Sequence, residues 1–173
     1  MTKYSRKARK SSQREQEHRD AEFFGSRLYR YRLVRIWDKR RPLVVFIGLN
    51  PSTAGKKNDD ATVSKCKAWV HRRPKYGGLV MLNLFAYRAR DFERVQRACD
   101  PIGPRNTIAF IRRCAKEASG PIIAAWGNHG GYRDRAEEVA NAFRRLFCLK
   151  KTKSGNPWHP LYISASAPLR KFK

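Results

Sequence analysis

The sequence predicts an α/β protein, a three-layer α/β/α sandwich with a central, mainly parallel four-stranded sheet. Three continuous apolar runs, at residues 43–50, 79–87 and 121–127, have the length and composition of buried strands. Segments with apolar residues at helical spacing separate these runs, and strands that alternate with helices are typical of parallel sheets. The 173 residues, 41% of them hydrophobic, are enough for the core of one domain.

The two ends of the chain depart from this alternation. Residues 1–20 are polar and basic, so we expect a flexible N-terminal arm there and a single domain over residues 21–173. Residues 27–37 mix β-branched and aromatic side chains with arginines, which indicates a strand with one wet face. Residues 149–163 predict a last strand, a turn at GNP and the segment HPLYIS.

Helices are predicted between the strands. The first covers residues 60–73, where Asp60 is a suitable N-cap. Two shorter helices are expected over residues 91–99 and 107–116, on either side of the turn-forming sequence DPIGPRN. Residues 133–147 predict an amphipathic helix.

Net charge indicates the kind of partner. Lys and Arg number 39 against 14 Asp and Glu, which gives a formal net charge of +25. The first 20 residues hold seven Lys or Arg and three acids, so +21 of this charge belongs to the rest of the chain. We expect such a domain to bind a polyanion, and nucleic acid, in particular DNA, is favoured over a membrane surface. The same self-repulsion favours a monomer.

The sequence contains neither membrane-targeting segments nor paired cysteines, and these observations bear on the compartment and on cofactors. It has no apolar run of the roughly 18 residues that a transmembrane helix needs and no signal-peptide core, so we expect a cytoplasmic protein. Cys66, Cys99, Cys114 and Cys148 form no CxxC pair and are expected to be buried small hydrophobes. A metal cluster assembled from these distant positions is the alternative, but we predict no metal and no other cofactor.

Four polar motifs mark the expected ligand site. GLNPST follows the first buried strand, NLFAYR lies in the second, WGNHGG follows the third, and NPWHPLY lies near the end of the chain. Ligands of α/β sheets bind at the carboxyl ends of the strands. We therefore expect the four motifs to converge on one site.

Each motif taken alone also has a structural explanation. Asn50 can simply start a loop before a proline, and His129 can be a solvated turn residue. His159 can be a packed structural histidine. Asn83 is different, because a buried amide in an apolar strand must find partners or cost about 1–3 kcal/mol. A ligand therefore explains Asn83 better than packing does.

In this order the motifs resemble those of the uracil-DNA glycosylase superfamily: GLNP at residues 48–51, LN at 82–83, AWG at 125–127 and HP at 159–160. The chain is also identified as a member of a bacterial and phage domain family that combines LNPSTA, DD-x-T, NLFAYR, DPxGPxN, AWG and HPLY. The resemblance implies a glycosylase-like fold and hydrolysis of the N-glycosidic bond of a flipped base.

The resemblance implies roles for individual residues. Asn50 would position the hydrolytic water, and His159 would stabilise negative charge on the base oxygen as the glycosidic bond breaks. The base itself would be bound by Gly48, Leu49, Asn83 and Phe85. The candidates for DNA contacts or for a wedge are Ser52, Arg88, Leu161, Tyr162 and Arg170. The residues whose role stays open are Asp59, Asp60, Thr62, Trp126 and His129.

Departures from the superfamily pattern bear on these roles. Asn50 has an amide where other branches have a carboxylate, which predicts slow chemistry. Leu161 follows His-Pro where Ser is usual, which removes a hydroxyl that would contact a DNA phosphate. The base-stacking aromatic is not fixed by a motif, and Trp69 and Phe85 are the candidates.

Asp59 and Asp60 have no counterpart in the enzyme pattern. They can be a second acid–base pair or metal ligands, but a loop with a helix cap is the favoured explanation.

Three functions are compatible with the sequence. The first is a monofunctional DNA glycosylase that acts on a damaged or modified base. The second is a non-catalytic nucleic-acid-binding protein that retains the base pocket, and the third is a nucleotide or nucleoside hydrolase. The +25 charge favours a polymeric ligand, because a single nucleotide would need only a local basic patch.

Overall fold

The structure is a computed structural model that describes residues 16–173, so most of the expected N-terminal arm lies outside the described residues. The strands are β1 (His18–Phe24), β2 (Tyr29–Ile36), β3 (Leu43–Gly48), β4 (Gly78–Asn83), β5 (Ser119–Ala124), β6 (Phe147–Cys148) and β7 (Arg170–Lys171). The α-helices are α1 (Ala61–His71), α2 (Phe92–Gln96), α3 (Ile108–Ala118) and α4 (Arg135–Asn141).

The strands form one mixed seven-stranded sheet in the order β1-β2-β4-β3-β5-β6-β7. The prediction of a mainly parallel four-stranded sheet is therefore wrong. Parallel pairing joins β3 to β4 and to β5, and β5 to β6, whereas β1–β2, β2–β4 and β6–β7 are antiparallel. The sequence did not reveal β1 because its residues, HRDAEFF, are half charged or polar, and β6 and β7 are too short to show a periodic pattern.

A hydrophobic layer lies on each face of the sheet. On one face α1 packs through Trp69, whose ring meets the ring of Phe46 edge-on with centroids 6.0 Å apart. On the other face α3 and α4 bury Ile111 and Val139 completely. Each such side chain contributes roughly 1.5–3 kcal/mol of transfer free energy. The central strands are thus held from both sides, which fixes the position of their carboxyl ends.

The helix predicted over residues 133–147 is shorter than expected. Arg133 and Asp134 have left-handed φ values of 54° and 55°, which an α-helix cannot accommodate, so the helix is confined to α4. A 3₁₀ segment, Asn128–Asp134, precedes it.

The strand predicted at the start of residues 149–163 is not formed there. This part of the chain has one isolated bridge, between Lys151 and Pro157, and a 3₁₀ turn over Pro160–Tyr162. Pro157 and Pro160 lack the N–H donors that a strand ladder requires, which limits pairing to this single bridge.

Three of the four cysteines, Cys66, Cys114 and Cys148, are buried, whereas Cys99 is exposed, so the expectation of burial is wrong for Cys99. Residues 16–173 contain no group of three or more His, Cys, Asp and Glu side chains arranged to hold a metal ion. None of the helices described is both long enough and apolar enough to cross a membrane.

A buried ion pair fastens the segment after β3 to β2. Arg35 on β2 is fully buried, and its Nε donates to Oδ1 of Asp59 at 2.8 Å. The same guanidinium donates to the carbonyl oxygens of Gly55 and Asn58 at 2.6 and 3.1 Å. Lys67 on α1 donates to the second carboxylate oxygen of Asp59 at 3.1 Å. Asp59 therefore shapes the loop, as the favoured explanation expected.

Replacing Asp59 tests this anchor. Asp59→Asn should lower the free energy of unfolding by about 3 kcal/mol, because Arg35 would stay buried without its counter-charge. Urea denaturation measures the effect. Glu93→Gln is the control, because it removes a carboxylate whose partner, Arg97, is exposed, and it should leave the denaturation midpoint nearly unchanged. Equal midpoints for the two variants would contradict the assigned anchor.

The same ion pair should make stability depend on pH. Burial alone would raise the pKa of Asp59, but the hydrogen bonds from Arg35 and Lys67 outweigh it and hold the pKa below 3.8. A carboxyl with a lowered pKa contributes its stability at neutral pH and loses it as the pH falls below 3.8. Denaturation at a series of pH values should show the gap between wild type and Asp59→Asn closing in that range; a constant gap would exclude this linkage.

Candidate functional site

A cavity of about 1180 Å³ opens at the carboxyl ends of β3, β4 and β5. These strands run parallel, so the polar segments that follow them meet at one edge of the sheet. The segment after β3 and the start of α1 contribute Gly48, Leu49, Asn50, Ser52, Asp60 and Thr62. The ends of β4 and β5 and the C-terminal loop contribute Asn83, Trp126, His129, His159, Leu161 and Tyr162.

Other predicted site residues do not line this cavity. Phe85 and Trp69, the candidates for base stacking, are 0% and 1% exposed and lie in the hydrophobic layers. Arg170 lies on β7, and Arg88 donates to the carbonyl oxygen of Arg27 outside the cavity.

The side chain of Asn50 is oriented by the backbone. Its Nδ2 donates to the carbonyl oxygens of Ala89 at 2.9 Å and Pro51 at 3.2 Å. Because two carbonyl groups need a donor at this end of the amide, the assignment of nitrogen and oxygen is unambiguous. Oδ1 is thereby left to accept a hydrogen bond from water or from a ligand in the cavity.

Asn83, the last residue of β4, brings an unpaired amide to the cavity. The residue is 3% exposed, and its Nδ2 has no hydrogen-bond partner among the residues described. A Cβ at Gly48 would lie 3.0 Å from Oδ1 of Asn83, so a side chain there would press on the amide and shift it by a few tenths of an ångström. An unpaired buried amide costs about 1–3 kcal/mol, which a ligand with a suitable acceptor would recover.

Two side chains hold the backbone around Asn83 by hydrogen bonds to its carbonyl oxygens. Nδ2 of Asn106, from the DPIGPRN turn, donates to the carbonyl oxygens of Asn83 and Leu84 at 3.1 and 2.9 Å. Arg135 at the start of α4 donates from Nε to the same Leu84 oxygen at 3.1 Å. Sequence reasoning missed both supporting residues. The only signal for Asn106 was its place in a turn motif, and nothing marked Arg135 as buried.

His159 caps the 3₁₀ turn that borders the cavity. Its Nδ1 accepts from the N–H of Leu161 at 3.4 Å, which makes Nε2 the donor of the neutral ring. Burial lowers the pKa of His159 below 6.5, and the negative charge of Asp60 partly offsets the effect. The ring is therefore neutral at pH 7 and can donate a hydrogen bond from Nε2.

Phe92 and His129 form an aromatic wall of the cavity, of which the motifs had marked His129 but not Phe92. The two rings are stacked, with centroids 5.0 Å apart and planes 28° from parallel. Such a wall can contact a planar ligand face to face. Phe92 lies four residues after the NLFAYR motif, at the start of α2, so motif matching alone could not select it.

The cavity is also cationic. The cations that line it are Arg30, Arg90, Lys150, Lys151 and Lys153. Asp60 brings the one carboxylate among the described lining residues, and its Oδ1 already accepts from the N–H of Val63 at 2.9 Å. The sequence revealed the excess of positive charge but not its concentration here. An anionic ligand is therefore favoured.

A family model described as a protein of unknown function, DUF1643, matches residues 30–161. The chain belongs to this family. The DUF1643 match extends from β2 to the 3₁₀ turn of the C-terminal loop and so covers the four motifs that meet at the cavity, except Tyr162 at the end of the last one. No curated protein and no solved structure matches the chain. The function must therefore be argued from the geometry of the site.

The charge of Asp60 can be tested without removing the helix cap. Asp60→Asn should lower the pKa of His159 further, because the carboxylate no longer offsets burial, while Asn remains a good N-cap for α1. An NMR titration of the His159 ring measures the midpoint. Asp38→Asn, in the connection between β2 and β3 and outside the lining of the cavity, is the control and should leave the midpoint unchanged. An unchanged midpoint in Asp60→Asn would remove Asp60 from the electrostatics of the ring.

Proposed function

We propose that this protein binds a base extruded from nucleic acid, preferably DNA, and hydrolyses its N-glycosidic bond. The unpaired buried amide of Asn83 carries the proposal, because it lies in the same cavity as Asn50 and His159. A base edge offers the hydrogen-bonding groups that such an amide lacks. The order of the four motifs, which resembles that of the uracil-DNA glycosylase superfamily, supports the same function.

Each polar group has a task in this reaction. Asn83 binds the edge of the base, and Oδ1 of Asn50 accepts a hydrogen bond from the attacking water. The water oxygen bonds to the anomeric carbon, the carbon–nitrogen bond breaks, and the base leaves with its electron pair. His159 donates from Nε2 to the base oxygen where negative charge develops. The water releases one proton to solvent, and the base anion takes one up.

The cationic residues around the cavity favour a polymer as the substrate. Lys150, Lys151 and Lys153 lie on one turn, where they can contact successive phosphates without reading sequence. Tyr162, next to His159 with ring centroids 6.2 Å apart, is 73% exposed. We assign it the role of the aromatic side chain that occupies the space left by the extruded base.

A non-catalytic base-binding protein is the second candidate. One observation favours it: the side chain assigned to the water is the amide of Asn50, which is a far weaker base than a carboxylate. Asp60, the carboxylate of the cavity, is engaged in capping α1. Binding without turnover would use the same Asn83 amide and the same cations.

Abasic-site formation distinguishes these candidates. The substrates are labelled single- and double-stranded oligonucleotides that contain uracil, hypoxanthine, mismatched thymine or modified cytosines. We expect cleavage of at least one of them, slowed by about 100-fold or more in Asn50→Ala and in His159→Ala, because each removes a group that acts in the transition state.

Two control variants separate lost chemistry from lost structure. Asn141→Ala and His71→Ala remove the same side-chain types outside the cavity and should cleave as wild type does. Salt-dependent binding of the oligonucleotides should persist in all four variants. If wild type binds every oligonucleotide of the panel and cleaves none, the catalytic proposal fails and the non-catalytic one replaces it.

A further inference from the structure

Three arginines are buried among residues 16–173, and their surroundings differ. Arg35 is fully buried, and Arg135 is 2% exposed. Each has a carboxylate partner, Asp59 for Arg35 and Glu138 for Arg135, and each donates to at least two backbone carbonyl groups. Their positive charges are therefore neutralised within the fold.

Arg30 is as deeply buried but lacks this compensation. It is 2% exposed, and the carbonyl oxygen of Ala54, at 2.9 Å from Nη1, is the one acceptor that the described residues offer to its guanidinium. Its Nε is buried with no partner in the described part of the chain. Asp60 attracts it only at a distance, without forming an ion pair, and Arg88 and Arg35 repel it.

The physical cost of this arrangement is visible in the pKa of Arg30. Burial lowers it to about 10, well below the pKa of a solvated guanidinium, and the attraction of Asp60 recovers only part of the loss. The group nevertheless remains charged at neutral pH. A buried charge without a counter-ion is unfavourable, and a fold that pairs Arg35 and Arg135 fully but not Arg30 leaves room for an anion from outside.

Arg30 lines the same cavity as Asn83 and Asn50. We propose that its guanidinium is a phosphate subsite of this cavity and binds a phosphate group attached to the sugar whose base contacts Asn83. The planar guanidinium matches phosphate oxygens with paired N–H donors. This inference rests on the proposed function, to which it adds the group that holds the sugar in place.

The first test uses inorganic phosphate as the probe and the full chain. Phosphate should raise the melting temperature of wild type above that in chloride of equal ionic strength, and Arg30→Met should weaken phosphate binding by about tenfold or more. Arg112→Met removes an equal charge from an exposed position of α3, and this variant should bind phosphate as wild type does. If the two variants bind phosphate equally well, the inference is wrong.

A second prediction distinguishes a ligand-binding arginine from a structural one. Without phosphate, Arg30→Met should melt within a few degrees of wild type, because few interactions are lost, whereas Arg35→Met should melt far lower. If Arg30→Met does not fold, the inference is tested by the NMR signal of the Arg30 Nε–H group in wild type. This signal is assigned as the one that is lost in Arg30→Lys. That signal should shift on phosphate titration of wild type, and a signal that does not move overturns the inference.

The source of the phosphate is identified with two further probes. One is an oligonucleotide with a single tetrahydrofuran abasic site, with and without a methylphosphonate on either side of it; the other is deoxyribose 5-phosphate. If Arg30 binds an internal phosphodiester, a methylphosphonate at that position should weaken binding of the oligonucleotide to wild type about tenfold. The same methylphosphonate should not weaken binding to Arg30→Met, because the substitution and the methylphosphonate remove the same contact. If the methylphosphonate weakened binding to Arg30→Met as much as binding to wild type, on either side of the abasic site, a contact between Arg30 and an internal phosphodiester would be excluded.

These outcomes keep the two proposals apart. Arg30-dependent binding of deoxyribose 5-phosphate but not of the oligonucleotide would retain the phosphate subsite and refute the polymeric substrate. Cleavage of an oligonucleotide that is unaffected by Arg30→Met would retain the glycosylase proposal and refute the subsite.

Discussion

The guanidinium of Arg35 lies beneath the segment that joins β3 to α1, and the shape of the cavity depends on this contact. Three parts of that segment, Gly55, Asn58 and Asp59, accept its hydrogen bonds, and Lys67 holds the same carboxylate from α1. A loop of this length would otherwise retain much conformational entropy. Because it is fixed, Asn50 at its start and the first turn of α1 at its end face each other across one cavity.

The groups that meet there are complementary in chemistry. The amide of Asn50 presents an oxygen because backbone carbonyl groups hold its nitrogen, whereas Nδ2 of Asn83 is buried and unpaired. Burial lowers the pKa of His159, so the ring is neutral at pH 7 and can donate a hydrogen bond from Nε2. One acceptor and two donors, surrounded by cations, are chemically complementary to a polar, uncharged ring attached to an anionic backbone, which is the ligand that we propose. A base on a sugar–phosphate chain has these features.

The central strands and the motifs at their ends could be predicted from the sequence because each depends on local pattern: continuous apolar runs for β3, β4 and β5, and polar residues directly after them. The number of strands in the sheet and their pairing could not be predicted, because β1 is rich in charged residues and β6 and β7 have two residues each. Phe92 and Arg30 were also missed. Phe92 reaches the cavity only through the placement of α2, and Arg30 looks like any arginine on a half-exposed strand until its burial is known.

The buried arginines differ in how well the fold compensates their charge. Folding selects against uncompensated buried charge, so Arg35 and Arg135 are each surrounded by acceptors. Arg30 and Asn83 violate that tendency, and both line the one cavity in which polar motifs from three parallel strands converge. Arg19, Tyr31 and Arg88 also have a buried side-chain atom without a partner among the described residues, but none of these three lines the cavity. Unpaired polar groups that line a cavity are what a ligand-binding site requires before its ligand arrives. The two unpaired groups of the cavity therefore set a condition for its ligand: a ligand that satisfied both would supply an acceptor to the amide and an anion to the guanidinium.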